Sequence, residues 1–474
     1  MTQSTSKNSG MALITLISVF FFWGFVAASN DILIPVFKSA LNLEQWQSQM
    51  ISFAFYVAYT IGSLVYFILT SILKKDILNS LGYRNGLALG LIISALGTLL
   101  FIPASNSQSF FLLISGLFIV GLGFSLQQIA ANPLAINMGD PEKGNMRLSL
   151  AGGINNVGTT IGPVIVAFAI FGGLPTAETT MNLEAVKIPY LILGAAFIIA
   201  AIFIKLSSVP DHIGEKNVTH TGFSQTIKKP QVWMGMIAIF VYVGVEVSTA
   251  SNLPEFMRQH LNTGEHEIAP YVSLFWASLM IGRWTSAAGA FNLPELTKMR
   301  LSILLPFLAF GIFLIVNIIA GHSVSQFYPY LFLVIVLATA DAISEGHPVK
   351  QLLLYSFLGI ISLIVGMFSS GLISVFAFIS VGLFCSTLWP CIFTLSIAGL
   401  GDKTNTASSL LIMMIMGGGI ISLIQGFLSD DALLGIQYSY IVGVCCFAYL
   451  AFFAWKIAGM HKAQGVGIIA EKYK

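Results

Sequence analysis

Charge is what this sequence has least of. Its 20 acidic and 22 basic residues make up 9% of 474, against about 25% in soluble globular domains. A chain with so few charges cannot coat itself for water. With 56% hydrophobic residues and a mean hydropathy of +0.86, it has the composition of an all-α polytopic membrane protein surrounded by lipid. The net charge of +2 and the lack of any basic run exclude a surface that tracks phosphates, so no nucleic acid is expected. Cysteine is also sparse: Cys385, Cys391, Cys445 and Cys446 stand in apolar surroundings without disulfide or metal spacing and read as small buried side chains. No GxxxxGK[ST] run is present, which argues against direct ATP drive, and no TVGYG-type filter favours a channel. Polar residues form no nucleophile and base arrangement, and His347 stands in a loop-like EGHPVK, so neither an enzyme nor a cofactor is expected.

What the chain has in quantity is apolar runs of spanning length, about 20 residues each. Six are expected near 11–37, 46–73, 84–102, 109–137, 147–172 and 188–208. The first follows a polar MTQSTSKNSG without a cleavage site and reads as a retained span. Residues 209–230 are polar, charged and rich in Gly and Pro, and are expected to form a cytoplasmic linker between an N-terminal bundle, 1–208, and a C-terminal bundle, 231–474. The second half offers eight runs, near 231–257, 269–290, 299–320, 326–340, 349–368, 371–400, 407–429 and 436–456. The shortest leaves open whether twelve or fourteen helices cross. Lys and Arg concentrate in alternate loops, at Lys75, Arg84, Lys143, Arg147, Lys228, Lys229, Lys298, Arg300 and Lys350. By the positive-inside rule both termini are then cytoplasmic.

Polar groups inside these runs are the candidate site. Asn30 and Asp31 precede Pro35 at the end of the first span, where a carboxylate either takes up a proton or cation or caps the helix at the interface. In GLGFSLQQIAANPLAIN, Gln128 and Asn132 share a helix face four residues apart, whereas Gln127 points about 100° away. These amides either line a cavity for hydroxyl groups or bind helix to helix. Asn155 and Asn156 sit among close-packing glycines in LAGGINNVGTTIGP. Glu246, a second intramembrane acid, shares a face with Tyr242 and Thr249. Trp389 is the best candidate to stack on the apolar face of a pyranose ring, with Tyr56, Trp276 and Gln425 as further candidate contacts. Charged loop clusters, Gly82 and Arg84 after the second run, Asp140–Arg147 after the fourth, and Gly282 and Arg283 after the eighth, read either as an inner gate or as ordinary retention of positive charge.

The segments FFWGFVAASNDILIPVF, QQIAANP, RLSLAGGINNVGTTIGP, YVGVEVS, IGRWT, STLWPCIFTLSIAGLG and SSLLIMMIMGGGIISLIQGFLSD resemble the fucose permease and glucose/galactose transporter branch of the major facilitator superfamily. The resemblance covers roughly residues 15–455. It implies two six-helix bundles that alternate access to a central site, here with two extra helices inserted in the C-terminal half, about 326–368, and expected at its periphery. It also implies uptake of a hexose, glucose or galactose, in symport with a cation. Asp31 matches the first-helix aspartate of the proton-coupled fucose permease. That permease has a protonatable glutamate where this chain has Gln128, and an amide cannot cycle a proton. Asn155 matches a fifth-helix asparagine, but Gly152 stands where a sugar-binding glutamine is expected. YVGVEVS resembles glucose/galactose members, some of which are sodium-driven.

The expected arrangement is therefore substrate binding by Gln127, Gln128, Asn132, Asn155, Asn156, Trp389 and Gln425. Coupling falls to Asp31, Glu246, Asn30 and Thr249, with Na⁺ favoured over H⁺ and placed at Asp31 or Glu246. Alternatives are a proton-coupled fucose or amino-sugar symporter and a membrane sugar sensor that does not transport. A monomer in a bacterial-type plasma membrane is expected.

Overall fold

The computed structural model describes residues 11–26, 41, 45–73, 75–140, 143–171, 184–212, 223–261, 265–290, 293–430 and 432–464. The helices are α1 (Met11–Val26), α2 (Gln45–Leu73), α3 (Tyr83–Leu99, prolonged by Phe101–Ser107), α4 (Phe110–Asn137), α5 (Gly144–Phe171), α6 (Glu184–Leu206) and α7 (Pro230–Leu261). They continue as α8 (Glu265–Ala287), α9 (Glu295–Ile319), α10 (Leu331–Ser344), α11 (Pro348–Phe368), α12 (Gly371–Cys385, continued by Leu388–Ile397), α13 (Thr404–Met413, continued by Gly417–Leu428) and α14 (Ile441–Gln464). No strand occurs among the described residues. Eleven helices among the described residues are long and apolar enough to cross a membrane. In lipid the helix is the natural solution, because it satisfies every backbone N–H and C=O within one segment.

Packing contacts divide the chain into two units that do not coincide with its sequence halves. One comprises residues 1–138, 157–226 and 401–413; the other comprises 139–156, 227–400 and 414–474. Each exchanged segment has a polar reason for its place. In the first unit Asn405 accepts a hydrogen bond from the Tyr83 hydroxyl and donates to Asp76 Oδ1 at 3.0 Å. Ser409 donates to the Ser63 carbonyl at 3.3 Å. In the second unit the start of α5 is held by Asn145, which donates to the Gly346 carbonyl at 3.0 Å, and by the side chains of Arg283 and Trp284.

Within the first unit α5 approaches α1 closely. A Cβ on Gly158 would lie 2.4 Å from the Phe21 carbonyl oxygen, so the glycine is required by backbone contact. Arg84 pairs with Asp211 and donates to the Ser207 carbonyl at 3.0 Å, which fastens the segment after α6 to the start of α3. The guanidinium holds the Asp211 carboxyl below the usual carboxylate range. The pair contributes fully above that range and is lost as pH falls through the depressed value. Side chains 33% and 28% exposed keep the effect small.

In the second unit α12 is the most enclosed candidate span, with 78% of its apolar window buried. Phe378 stacks on Tyr440 at 3.8 Å between ring centroids. The outermost helix is α9, 28% buried, whose Ile303, Leu304, Leu308, Ile315 and Ile318 are exposed, as a lipid-facing stripe requires. α11, expected at the periphery as part of a pair near 326–368, instead packs its Leu352, Tyr355, Gly359 and Leu363 inward. A Cβ on Gly359 would meet the Phe447 ring of α14 at 2.5 Å. The helices set outermost are α9 and α10.

Gly417 of α13 lies against α7, where an added Cβ would stand 2.0 Å from the Phe240 carbonyl oxygen, whereas nothing lies within 4 Å of one added at Gly419. Gly417→Ala is expected to destabilise the protein by about 1–3 kcal/mol and lower its thermal midpoint in detergent. Gly419→Ala should leave it unchanged; equal midpoints for the two would contradict the packing described.

Candidate functional site

The amide stripe of α4 divides according to what each residue meets. Gln127 is fully buried. Its Oε1 accepts from Trp23 Nε1 of α1 at 2.7 Å, and its Nε2 donates to Ser94 Oγ of α3 at 3.1 Å. Both ends of that amide are committed to protein, so Gln127 joins three helices. Gln128, half-buried, donates from Nε2 to the Tyr59 hydroxyl of α2 at 3.1 Å. One turn on, Asn132 is 1% exposed and its Nδ2 has no hydrogen-bond partner. An orphaned buried amide costs about 1–3 kcal/mol, so Asn132 keeps a donor for which the described residues supply no partner.

The second unit gathers a denser polar set. α7 places Tyr242 and Glu246 one turn apart, and the Tyr242 hydroxyl donates to Glu246 Oε2. Trp389 of α12, half-buried, stands 6.2 Å from the Tyr242 ring and 5.8 Å from Phe393. Arg283 lies inside α8, not in a loop after it. Its Nε donates to the Ser386 carbonyl at 2.9 Å. Its Nη1 donates to the Gly152 carbonyl at 3.3 Å and to Asn156 Oδ1. Arg283 also acts electrostatically on Glu246, giving that acid an opposite charge within the same unit.

Gly152 explains how the guanidinium fits: a Cβ there would lie 3.1 Å from Arg283 Cδ. Beside it, Trp284 Nε1 donates to the Gly153 carbonyl at 3.2 Å. The adjacent asparagines of α5 thus face different surroundings. Asn156 is buried between Arg283 and the Trp276 carbonyl, the latter at 3.4 Å, while Asn155 is half-buried. Thr249 is fully buried with its Oγ1 unpartnered. Gln425 is buried too; its Nε2 reaches Ser439 Oγ at 3.4 Å, leaving Oε1 without a partner. Asn30 and Asp31 lie outside the described residues.

The groups facing Glu246 are a hydroxyl donor and a guanidinium. The arrangement holds a carboxylate through donors and presents an indole beside it, which suits recognition of a hydroxyl-rich ring.

Residues 11–346 match the Major Facilitator Superfamily. The chain belongs to that superfamily. It is 32% identical over 453 residues to the glucose/galactose transporter of Brucella abortus biovar 1 (strain 9-941), covering 95% of each chain. It is 27% identical over 474 residues to the L-fucose-proton symporter of Escherichia coli (strain K12), covering 95% of this chain and 94% of that one. The crystal structure of the superfamily transporter FucP superposes with a TM-score of 0.73 at 24% identity, over 95% of this chain and 99% of the other. The all-α, multi-pass architecture is the major facilitator fold, and the superfamily is one of transporters.

Sequence spacing separated Gln127 from Gln128 by angle but not by task, and it placed Arg283 in a loop. The missed signal for Arg283 is that IGRWTSA continues the helical run of α8 through Ala287. Gln127→Leu removes the acceptor of buried Trp23 and the donor to Ser94. It should cost about 1–3 kcal/mol and lower the thermal midpoint more than Gln128→Leu does; the reverse order would assign the interhelical role to the wrong amide.

Proposed function

We propose that this protein carries a hexose, glucose or galactose, across a bacterial-type plasma membrane in symport with a proton, with both termini cytoplasmic. Support for the sugar comes chiefly from the 32% identity to a glucose/galactose transporter along 95% of both chains. Two polar surfaces are consistent with it: the α4 stripe with its unpartnered Asn132 amide, and the Trp389, Tyr242 and Glu246 set. In this reading Gln128 and Asn132 exchange hydrogen bonds with sugar hydroxyls, Trp389 stacks on the apolar face of the ring, and Asn155 completes the contacts on α5. Gln127 and Asn156 are left out because their amides are already engaged, and Gln425 and Thr249 are supporting groups.

A proton, not the sodium expected from the sequence, is the ion chosen. The relationship to a protein named as a proton symporter favours it. Asp31 is assigned the exchangeable proton from its place in the sequence motif. Glu246, hydrogen-bonded by Tyr242 and acted on by Arg283, is assigned the fixed charge that links the ion to the sugar. The chain is taken to work as a monomer, needing no cofactor.

Proteoliposomes loaded with separate Na⁺ and pH gradients, tested with labelled glucose, galactose, fucose and an amino sugar, examine this directly. Accumulation of glucose or galactose driven by the pH gradient is expected. Accumulation only with Na⁺ would restore the sodium reading, preference for fucose or the amino sugar would reassign the substrate, and saturable binding without counterflow would make the protein a sensor. Asp31→Asn and Glu246→Gln are each expected to abolish concentrative uptake. Gln128→Ala should weaken apparent sugar affinity by roughly two- to tenfold, the worth of a neutral hydrogen bond; unchanged affinity would remove Gln128 from the site.

A further inference from the structure

A third intramembrane acid, Asp341, lies in α10, away from the set around Glu246 in sequence and in its partners. Its residue is 9% exposed. No basic side chain forms an ion pair with it among the described residues. Gln351 of α11 donates from Nε2 to Asp341 Oδ1 at 2.8 Å, and its Oε1 accepts from Cys391 Sγ of α12 at 3.3 Å. The same Nε2 is 3.4 Å from Ser286 Oγ of α8. Tyr355, fully buried, brings its hydroxyl beside this acid and amide. A buried carboxylate with only neutral donors and no counter-ion is costly as an anion.

The surroundings say what would relieve that cost. Gln351 turns its N–H toward the acid and its carbonyl away, so the shell is poor in oxygens for a metal cation. The Tyr355 hydroxyl can accept as well as donate, which suits a carboxyl that carries a proton in one state. Tyr355 and Cys391 are the titratable groups facing Asp341. No charged group on α8, α9 or the α10–α11 turn acts on it, and Glu345 and Lys350 on that turn pair with each other at 3.6 Å.

We propose that Asp341 is a further proton-binding site, built from α10, α11 and α12, whose occupancy bears on how the start of α5 is held. A proton from water adds to an Asp341 carboxylate oxygen and leaves from it to water, and no other bond changes. The connection to α5 is short. The backbone N–H of Glu345 donates to the Asp341 carbonyl at 3.1 Å, and Gly346, next in the chain, accepts from Asn145 of α5 at 3.0 Å. Cys391, bonded to Gln351, also lies beside Asn145. Adding or removing one buried charge here alters the hydrogen bonds that end on the first turn of α5. The inference stands apart from the identity of the sugar and of the coupling ion.

Infrared difference spectroscopy of the full-length protein in lipid, titrated with pH, reads the proton directly without any sugar. The expected result is a carboxylic-acid carbonyl band that titrates in the wild type, persists in Glu246→Gln and is lost in Asp341→Asn. An Asp341→Asn protein with the same titrating bands as wild type would overturn the proposal. If that variant does not fold, Tyr355→Phe and Gln351→Leu serve instead. Each removes a group touching the carboxyl and should displace the midpoint of the band, and unchanged midpoints in both would overturn the proposal equally.

Discussion

A guanidinium inside an apolar helix has to find acceptors, and much of the second unit is arranged around that requirement. Arg283 cannot shed its charge and carries five donors in a fixed plane. Two backbone carbonyls and one side-chain amide oxygen receive them, from two segments: the break within α12 at Ser386, and α5 at Gly152 and Asn156. Glu246 supplies the opposite charge. The start of α5 is thereby bound to α8, and the identity of residue 152 follows, since a side chain there would compete for the space of Arg283 Cδ. The absence of the glutamine expected at that position is thus matched by a positive group filling the same place.

The first unit solves a milder version of the same problem with neutral groups. Amides bury readily if both ends are matched, as at Gln127 between Trp23 and Ser94. Where one end is left unmatched, as at Asn132, the buried donor goes unused at a cost in stability. Two amides of one helix, five residues apart, are therefore treated differently, one closing a packing interface and the other left with hydrogen-bonding capacity.

The helices were legible because apolar runs of spanning length leave the chain little else to become, and the predicted stretches agree with the helix order. Identity of the superfamily was legible from motifs such as QQIAANP and STLWPCIFTLSIAGLG. Less legible was anything decided by partners from distant parts of the chain. Gln127 and Gln128 look alike in sequence, and only Trp23 and Ser94 tell them apart. Asp341 was overlooked because ADAISEGHP resembles the polar end of a span, whereas α10 continues to Ser344 and encloses the acid. The peripheral helices were misplaced for a related reason: the run near 349–368 is no more apolar than its neighbours, and its inward face is revealed only by the side chains packed on it.

The exchanged segments bear on what a piece of this chain can be. Cutting within residues 209–230 divides the sequence at its most polar stretch, yet the fragment ending there lacks residues 401–413, and the remaining fragment lacks residues 139–156. Neither fragment owns all the parts of a unit. Asn405 would leave Tyr83 and Asp76 unanswered in one, and Arg283 would lose Asn156 and the Gly152 carbonyl in the other. Each half of the sequence thus completes a unit of the other, and a half-length form would leave these hydrogen-bonding groups without their present partners.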